Sequence, residues 1–363
     1  MNKKWGLSAA ALLLTAAVIL PGCASKQEAP KEALKSAATK ATTMSSYEMK
    51  SKFTINDLTI ETSDAESAAM TTQVLSMLKN ADITIDGVYQ AEPMQTELTM
   101  VLNLKGDMSM SFNVPMVMTA EKLYVKIPSI PFVPIPETIL NKFVEVDLKA
   151  LAEQEGAEFN PSTMDTQKMQ KLSNEVVDTV LAEYDEEKYF NEIDPKDANL
   201  PEGVEAKQVV QFQVTNDNVK EAITILVNNA LPKIIDIVSK EEYKDMLQIK
   251  DADLAKAKEE LTSGEARTEL DKGLADLDKY LTINQFHYNT AINKDGYAVY
   301  QDLLMDVKVN DPEDGTKVAF SVNGTGQYSK INEKPVFKIG IPQGDDVITM
   351  DQLGEEFGGL GTY

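Results

Sequence analysis

The sequence predicts an α+β protein built on one antiparallel sheet of about eleven strands, with helices before and within the strand run. Three observations point there. Short segments with apolar residues at every second position recur from residue 46 onward, "SYEMKSKFTI" and "EKLYVKI" among them. Neighbouring segments are joined by turn-forming triplets such as Lys294-Asp295-Gly296, which suit hairpins rather than crossovers. Two long stretches, about 163–190 and 216–281, switch to helical spacing.

The elements follow in order. "PKEALKSAATKATTMS" (30–45) places Leu34, Ala37, Ala38, Ala41 and Met44 at helical spacing, and Pro30 suits a first turn, where N–H groups lack partners anyway. Strands are expected at 46–61, 81–90, 95–107, 108–119, 121–127 and 142–148. A short helical or loop insertion falls at 64–80, and a tight turn at Lys105-Gly106-Asp107. "PSIPFVPIP" (128–136) holds four prolines, which cannot donate to a ladder or sit inside a helix, so an extended apolar loop is expected. The helix over about 163–190 carries one apolar stripe: Leu172, Val176, Val177, Val180, Leu181 and Tyr184. After a strand at 205–214, residues 215–240 form the most apolar helix outside the leader, capped by Asn216, Asp217 or Asn218 and kinked at Pro232. Residues 251–281 read as a charged helical hairpin or broken helix interrupted at Ser263-Gly264. Strands at 282–293, 296–310, 316–330 and 334–342 close the sheet, and the end of the chain is expected to be loose.

The N-terminus has a different character. Lys3 and Lys4 precede residues 6–20, an uncharged run shorter than the roughly 20 apolar residues of a spanning helix, which suits the apolar region of a signal peptide. Leu20-Pro21-Gly22-Cys23 then resembles a bacterial lipobox, with Pro21 the less usual residue. Cys23 is the only cysteine in the chain. The lipobox resemblance implies cleavage before Cys23, a diacylglycerol on its sulfur, and a protein held at the cell membrane on the extracytoplasmic side. Two acyl chains make that anchor stable, since each buried CH₂ contributes about 0.8 kcal/mol. The expected organisation is a signal peptide (1–22), a lipidated tether and helix (23–45), the folded body with its helical insertions (46–342) and a tail (343–363). No cysteine remains for a disulfide, so the core alone must hold the body.

Charge narrows the partners. The chain carries −23, with 35 Lys+Arg against 58 Asp+Glu. Lys3 and Lys4 give the leader +2 and residues 23–45 add +2, which leaves −27 on residues 46–363. Such a body does not suit nucleic acid, whose phosphates need Lys and Arg. Nor does it suit lying flat on an anionic bilayer.

The lipobox, the Ala/Lys helix running into "SYEMKSKFTI", the strand run ending "KLYVKIP", the apolar helix after "VVQFQVT" and the closing "FKIGIP" together resemble a LolA/LppX-like lipoprotein of the mostly uncharacterised Gram-positive branch. The resemblance spans about residues 30–342 and rests on order and pattern. It implies a strongly curved sheet, an open half-barrel with helices on or across its concave face, and a concavity that shelters acyl chains.

Catalytic and metal motifs are weak. Ser76-Met77-Leu78-Lys79 and Ser321-Val322-Asn323 match two elements of penicillin-interacting enzymes, but no K-T-G completes them. His287 is the only histidine, which leaves no triad or zinc site. The acidic turns fail as calcium loops because Pro312 or Ala291 stands at a ligand position. No enzyme activity, cofactor or metal is therefore expected. Met94, Met100, Met108, Met110, Met116 and Met118 crowd one region and admit three readings: a packed core face, an adaptable apolar lining, or a Cu(I) thioether site. The lack of a second Cys or His weighs against copper. The helix around 218–239 is apolar over more of its circumference than one sheet contact requires. Met108, Met110, Phe112, Leu226 and Leu231 are accordingly the candidate borders of a cleft for a lipid or acyl chain. The alternative is an interaction scaffold whose own helix fills the sheet.

Overall fold

The computed structural model describes residues 27–61, 75, 78–105, 109–129, 135–154, 166–310 and 315–358. The leader with Cys23, Ser76, Met108 and most of the proline-rich loop lie outside the described residues.

The strands are β1 (Ser46–Glu61), β2 (Asp82–Gln90), β3 (Gln95–Leu104), β4 (Met110–Thr119), β5 (Lys122–Lys126), β6 (Phe143–Asp147), β7 (Phe190–Ile193), β8 (Gln208–Gln213), β9 (Leu281–Ile292), β10 (Ala298–Asn310), β11 (Lys317–Ser329) and β12 (Val347–Thr349). They form one twelve-stranded sheet in the order β12-β6-β5-β4-β3-β2-β1-β11-β10-β9-β8-β7. Every pair is antiparallel except β6–β12, and the sheet does not close. β1 and β11, the first and last long strands, pair near its middle.

The strand count differs from about eleven for identifiable reasons. The expected strand at 334–342 is absent: the backbone N–H groups of Lys338, Ile339 and Gly340 donate to the carboxylate of Glu97 at 2.8, 3.0 and 2.6 Å instead of to a neighbouring strand. Pro335 and Pro342 bound this strap and remove two ladder donors. β7 and β12, four and three residues long, are too short to show a two-residue period. Of the last ten residues, expected to be loose, those up to Gly358 end a helix that begins at Met350, and 359–363 lie outside the described residues.

The helices are α1 (Pro30–Ala41), α2 (Leu148–Gln154), α3 (Thr166–Glu183), α4 (Glu186–Tyr189), α5 (Val219–Val238), α6 (Glu241–Leu247), α7 (Asp251–Thr262), α8 (Gly264–Ala275), α9 (Leu277–Tyr280) and α10 (Met350–Gly358). Pro30 occupies the first turn of α1. The break at Ser263 separates α7 from α8, and Gly264 takes the positive φ of +81° that a β-carbon would resist. The disturbance expected at Pro232 takes the form of a π-turn over Leu226–Ala230, in which Leu231 N–H donates to Leu226 C=O. α5 then bends by 83° into α6. Among the described residues no single helix is long and apolar enough to cross a membrane.

Register assigns the two faces of the sheet. One cross-strand row, Phe112–Leu102–Ile83–Phe53–Gly324–Leu303–Tyr288–Phe212–Phe190, runs from β4 to β7 on what we call the inner face. The adjoining row on the outer face is polar: Lys52–Thr325–Asp302–Asn289–Gln211. A bulge at Asn56 shifts the phase of β1, so Leu58 and Ile60 return to the side of Ile55. The main core lies on the inner face at the β7–β9 end. Ala33 and Ala37 of α1, Tyr189, Phe190, Val210, and Val219 and Ala222 of α5 are buried there. At the other end, Val144 and Ile348 are covered by Ile139 and by Leu353 of α10.

Candidate functional site: an apolar cavity

α1 packs on β7–β10, and α3 packs on α1. Lys31 fastens the layer, its Nζ donating to Tyr184 C=O at 2.7 Å. Between these helices and the sheet lies a cavity of about 660 Å³, within the usual range for small-ligand sites. Its floor is the inner-face row Phe190, Phe212, Tyr288 and Leu303, with Phe286, Thr290, Gln301, Tyr47 and Tyr328 beside it. Its roof is the Leu34, Ala37, Ala38 and Ala41 face of α1 and the Val176, Val177, Val180 and Leu181 stripe of α3. The cause is a mismatch of sizes. Alanines on α1 face aromatic rings on the strands, and short side chains leave space that packing does not fill.

The rings are ordered against one another. Phe212 meets Tyr184 edge-on at 5.3 Å and Phe190 at 5.3 Å between centroids. Tyr47 contacts Tyr89 at 5.0 Å and Tyr328 edge-on at 5.4 Å. Among the described residues no charged side chain lines the cavity. Burial, and then the neighbouring Tyr328 and Tyr89, push the Tyr47 hydroxyl up to about 12. Tyr288 is likewise pushed up to about 12, mainly by burial. A smaller cavity of about 270 Å³ adjoins, sharing Tyr288, Gln301 and Leu303 and reaching Phe53, Ile83 and Ile85.

The candidate residues from sequence fall elsewhere. Met110 and Phe112 lie on β4, opposite Leu104 and Leu102 on the same inner face, but four strands separate β4 from β10 and neither residue lines the cavity. Leu226 opens the π-turn and Leu231 follows it, and neither lines the cavity. The apolar girth of α5 has another cause: α3 packs on its second half, and α7 and α8 pack along it as well. Both roof stripes had been identified as helical faces. What the strand pattern did not supply was which strands stand opposite them, because β8 and β9 are brought together by a connection of more than sixty residues.

The weaker motifs do not converge on this cavity. Lys79 forms an ion pair with Asp57 at 2.9 Å, and Asn323 accepts from Asn56 at 2.8 Å. His287 faces outward, 3.8 Å from Asp302. Burial raises the Asp302 carboxyl, opposed by a hydrogen bond from Asn289 and by His287. Among the described residues, no three His, Cys, Asp or Glu side chains group as metal ligands.

Residues 236–348 match a family of unknown function, DUF6612. The match covers under a third of the chain. It takes in β9, β10 and β11, and with them Phe286, Tyr288, Thr290, Gln301, Leu303 and Tyr328 of the cavity floor. α1 and α3, which form the roof, lie outside the DUF6612 match. No curated protein matches the chain.

Proposed function

We propose that this chain is a non-enzymatic lipoprotein, anchored on the extracytoplasmic side of the cell membrane through Cys23, that carries an apolar ligand such as a lipid or acyl chain. The observation that carries the reading is the cavity of about 660 Å³ with no charged side chain in its described lining. An acyl chain needs apolar walls and no counter-charge, and it regains on entry the contacts that the alanine-faced roof leaves unmade. The open half-barrel of LolA/LppX-like lipoproteins, curved around such a ligand, belongs to the same proposal. The unclosed sheet and the helices on its inner face support it.

Anchor and cavity are close in the chain. α1 begins seven residues after Cys23, so at full extension about 25 Å separates the lipid from the cavity roof. The −27 body would stand off an anionic surface at that distance. Two experiments test the two halves of the proposal. Cys23→Ala should release the protein from membranes or block its processing, and a variant that matures normally and still stays with membranes would refute the anchor. Mass spectrometry of lipids co-purifying with the full-length Cys23→Ala chain, alongside titration with an apolar fluorescent probe, should show one bound ligand. A chain with neither co-purifying lipid nor probe binding would leave the scaffold reading in its place.

A further inference from the structure

The cavity floor is not uniformly apolar, and the exception is specific. The inner-face row next to Phe53–Gly324–Leu303–Tyr288 reads Ser51–Gly326–Gln301–Thr290 across β1, β11, β10 and β9. Gln301 and Thr290 stand opposite each other in register and both line the cavity. Around them are three tyrosines, Tyr47, Tyr288 and Tyr328, whose hydroxyls have no hydrogen-bond partner among the described residues. Tyr184 differs, because its hydroxyl donates to Ala222 C=O at 2.9 Å. The floor therefore offers one amide and several hydroxyls, each able both to donate and to accept. The opposite part of the floor, Phe190, Phe212 and Phe286, offers none.

We infer that the polar group the ligand buries here is uncharged, so that the cavity takes a long-chain alcohol or ester, of the kind found in acylglycerols, in preference to an ionised fatty acid. The inference rests on the ligand-carrying reading above and narrows its ligand class. An alcohol or ester oxygen exchanges its water hydrogen bonds for bonds to Gln301, Thr290 and the tyrosines. A carboxylate must give up its hydration as well, and hydroxyls without a cation do not replace it. Burial keeps Tyr47 and Tyr288 protonated far above neutral pH, so they remain neutral partners.

The test is competition on the full-length Cys23→Ala chain at neutral pH. An apolar fluorescent probe is displaced with dodecanol, methyl dodecanoate and dodecanoate. Dodecanol and the ester should displace it at concentrations about tenfold or more below those of dodecanoate. Gln301→Leu should lower the affinity for dodecanol about threefold or more relative to dodecane. Dodecanoate competing within about threefold of dodecanol would overturn the inference. A Gln301→Leu chain with an unchanged dodecanol-to-dodecane ratio would overturn it too. Failure of the probe to bind at all would be seen before any competitor is added, and would overturn the carrier reading itself.

Discussion

The two halves of the inner sheet face are built from similar residues and reach opposite outcomes. On the β7–β10 half, Phe190, Val210 and Ile292 are buried beneath α1, α3 and α5. On the β2–β5 half, Ile83, Met100, Leu102, Met110, Phe112 and Met116 are all half-buried, and the described helices on the inner face lie away from them. The seam is Phe53, 42 % exposed, whose ring lies over Gly324 so closely that a β-carbon there would be 3.2 Å away. Apolar content of a strand face therefore does not decide where a cavity forms. A second layer makes the larger cavity, where its side chains are too small to fill the gap, whereas the smaller one at Phe53, Ile83 and Ile85 is lined by strand residues alone. α1 supplies that layer with alanines.

The comparison breaks most visibly on the outer face of the β2–β5 half. Glu97 is 4 % exposed and holds three backbone N–H groups of the 334–342 strap. Glu97→Ala leaves those donors without an acceptor and should cost about 3 kcal/mol, since bonds to a charged acceptor are the strong ones. The midpoint of chemical unfolding and protease cutting inside the strap would report it. If the halves are independent, probe binding in the cavity survives. A loss below about 1 kcal/mol would mean that the strap is held by its own apolar side chains instead.

Leu226→Gln sharpens the comparison from the helix side. Leu226 lies in the π-turn, on the part of α5 that packs against α3, away from the cavity lining. A half-buried amide in its place should cost about 1–3 kcal/mol and leave probe affinity unchanged. Ala38→Trp should do the reverse, filling the roof of the cavity and abolishing probe binding with a smaller change in stability. Measuring the unfolding midpoint and probe affinity in both variants decides it. If Leu226→Gln weakens the probe more than Ala38→Trp does, the site belongs to α5 after all.

These variants also mark what the sequence could convey. The long strands, the hairpin turn at Gly296, the first turn at Pro30 and the break at Ser263-Gly264 were legible because each is a local choice of backbone geometry. The strap at 334–342 was not, since its alternating pattern is that of a strand and only a distant carboxylate, Glu97, takes its N–H groups. The cavity was half legible. The roof stripes at Leu34–Ala41 and Val176–Leu181 follow from helical period, whereas their meeting with Phe212 and Tyr288 depends on the β8–β9 pairing across the inserted helices. The most apolar helix drew attention to α5, yet its apolar surface is consumed by other helices.

The smallest expected effect separates tyrosines of the cavity from tyrosines of the packed core. Tyr47 and Tyr288 line the cavity, while Tyr189 and Tyr243 are fully buried elsewhere; all four are pushed up to about 12, with burial the leading cause. An acid whose folded pKa lies above its unfolded value of 10.0 stabilises the fold fully below that value. As pH rises from 10.0 towards 12, the unfolded chain ionises first and this contribution is lost. Phenolate absorbance read before unfolding should therefore lag in all four. The two classes should then part on adding ligand. Tyr288 is 37 % exposed, and it lines both cavities, so water in them limits its shift until an apolar ligand displaces that water. Dodecanol should delay ionisation of Tyr47 and Tyr288 further and leave Tyr189 and Tyr243 where they are. The assignment follows from Tyr47→Phe and Tyr288→Phe, each of which should remove part of the ligand-dependent lag. A lag that dodecanol leaves unchanged in the parent chain would place the ligand away from these tyrosines.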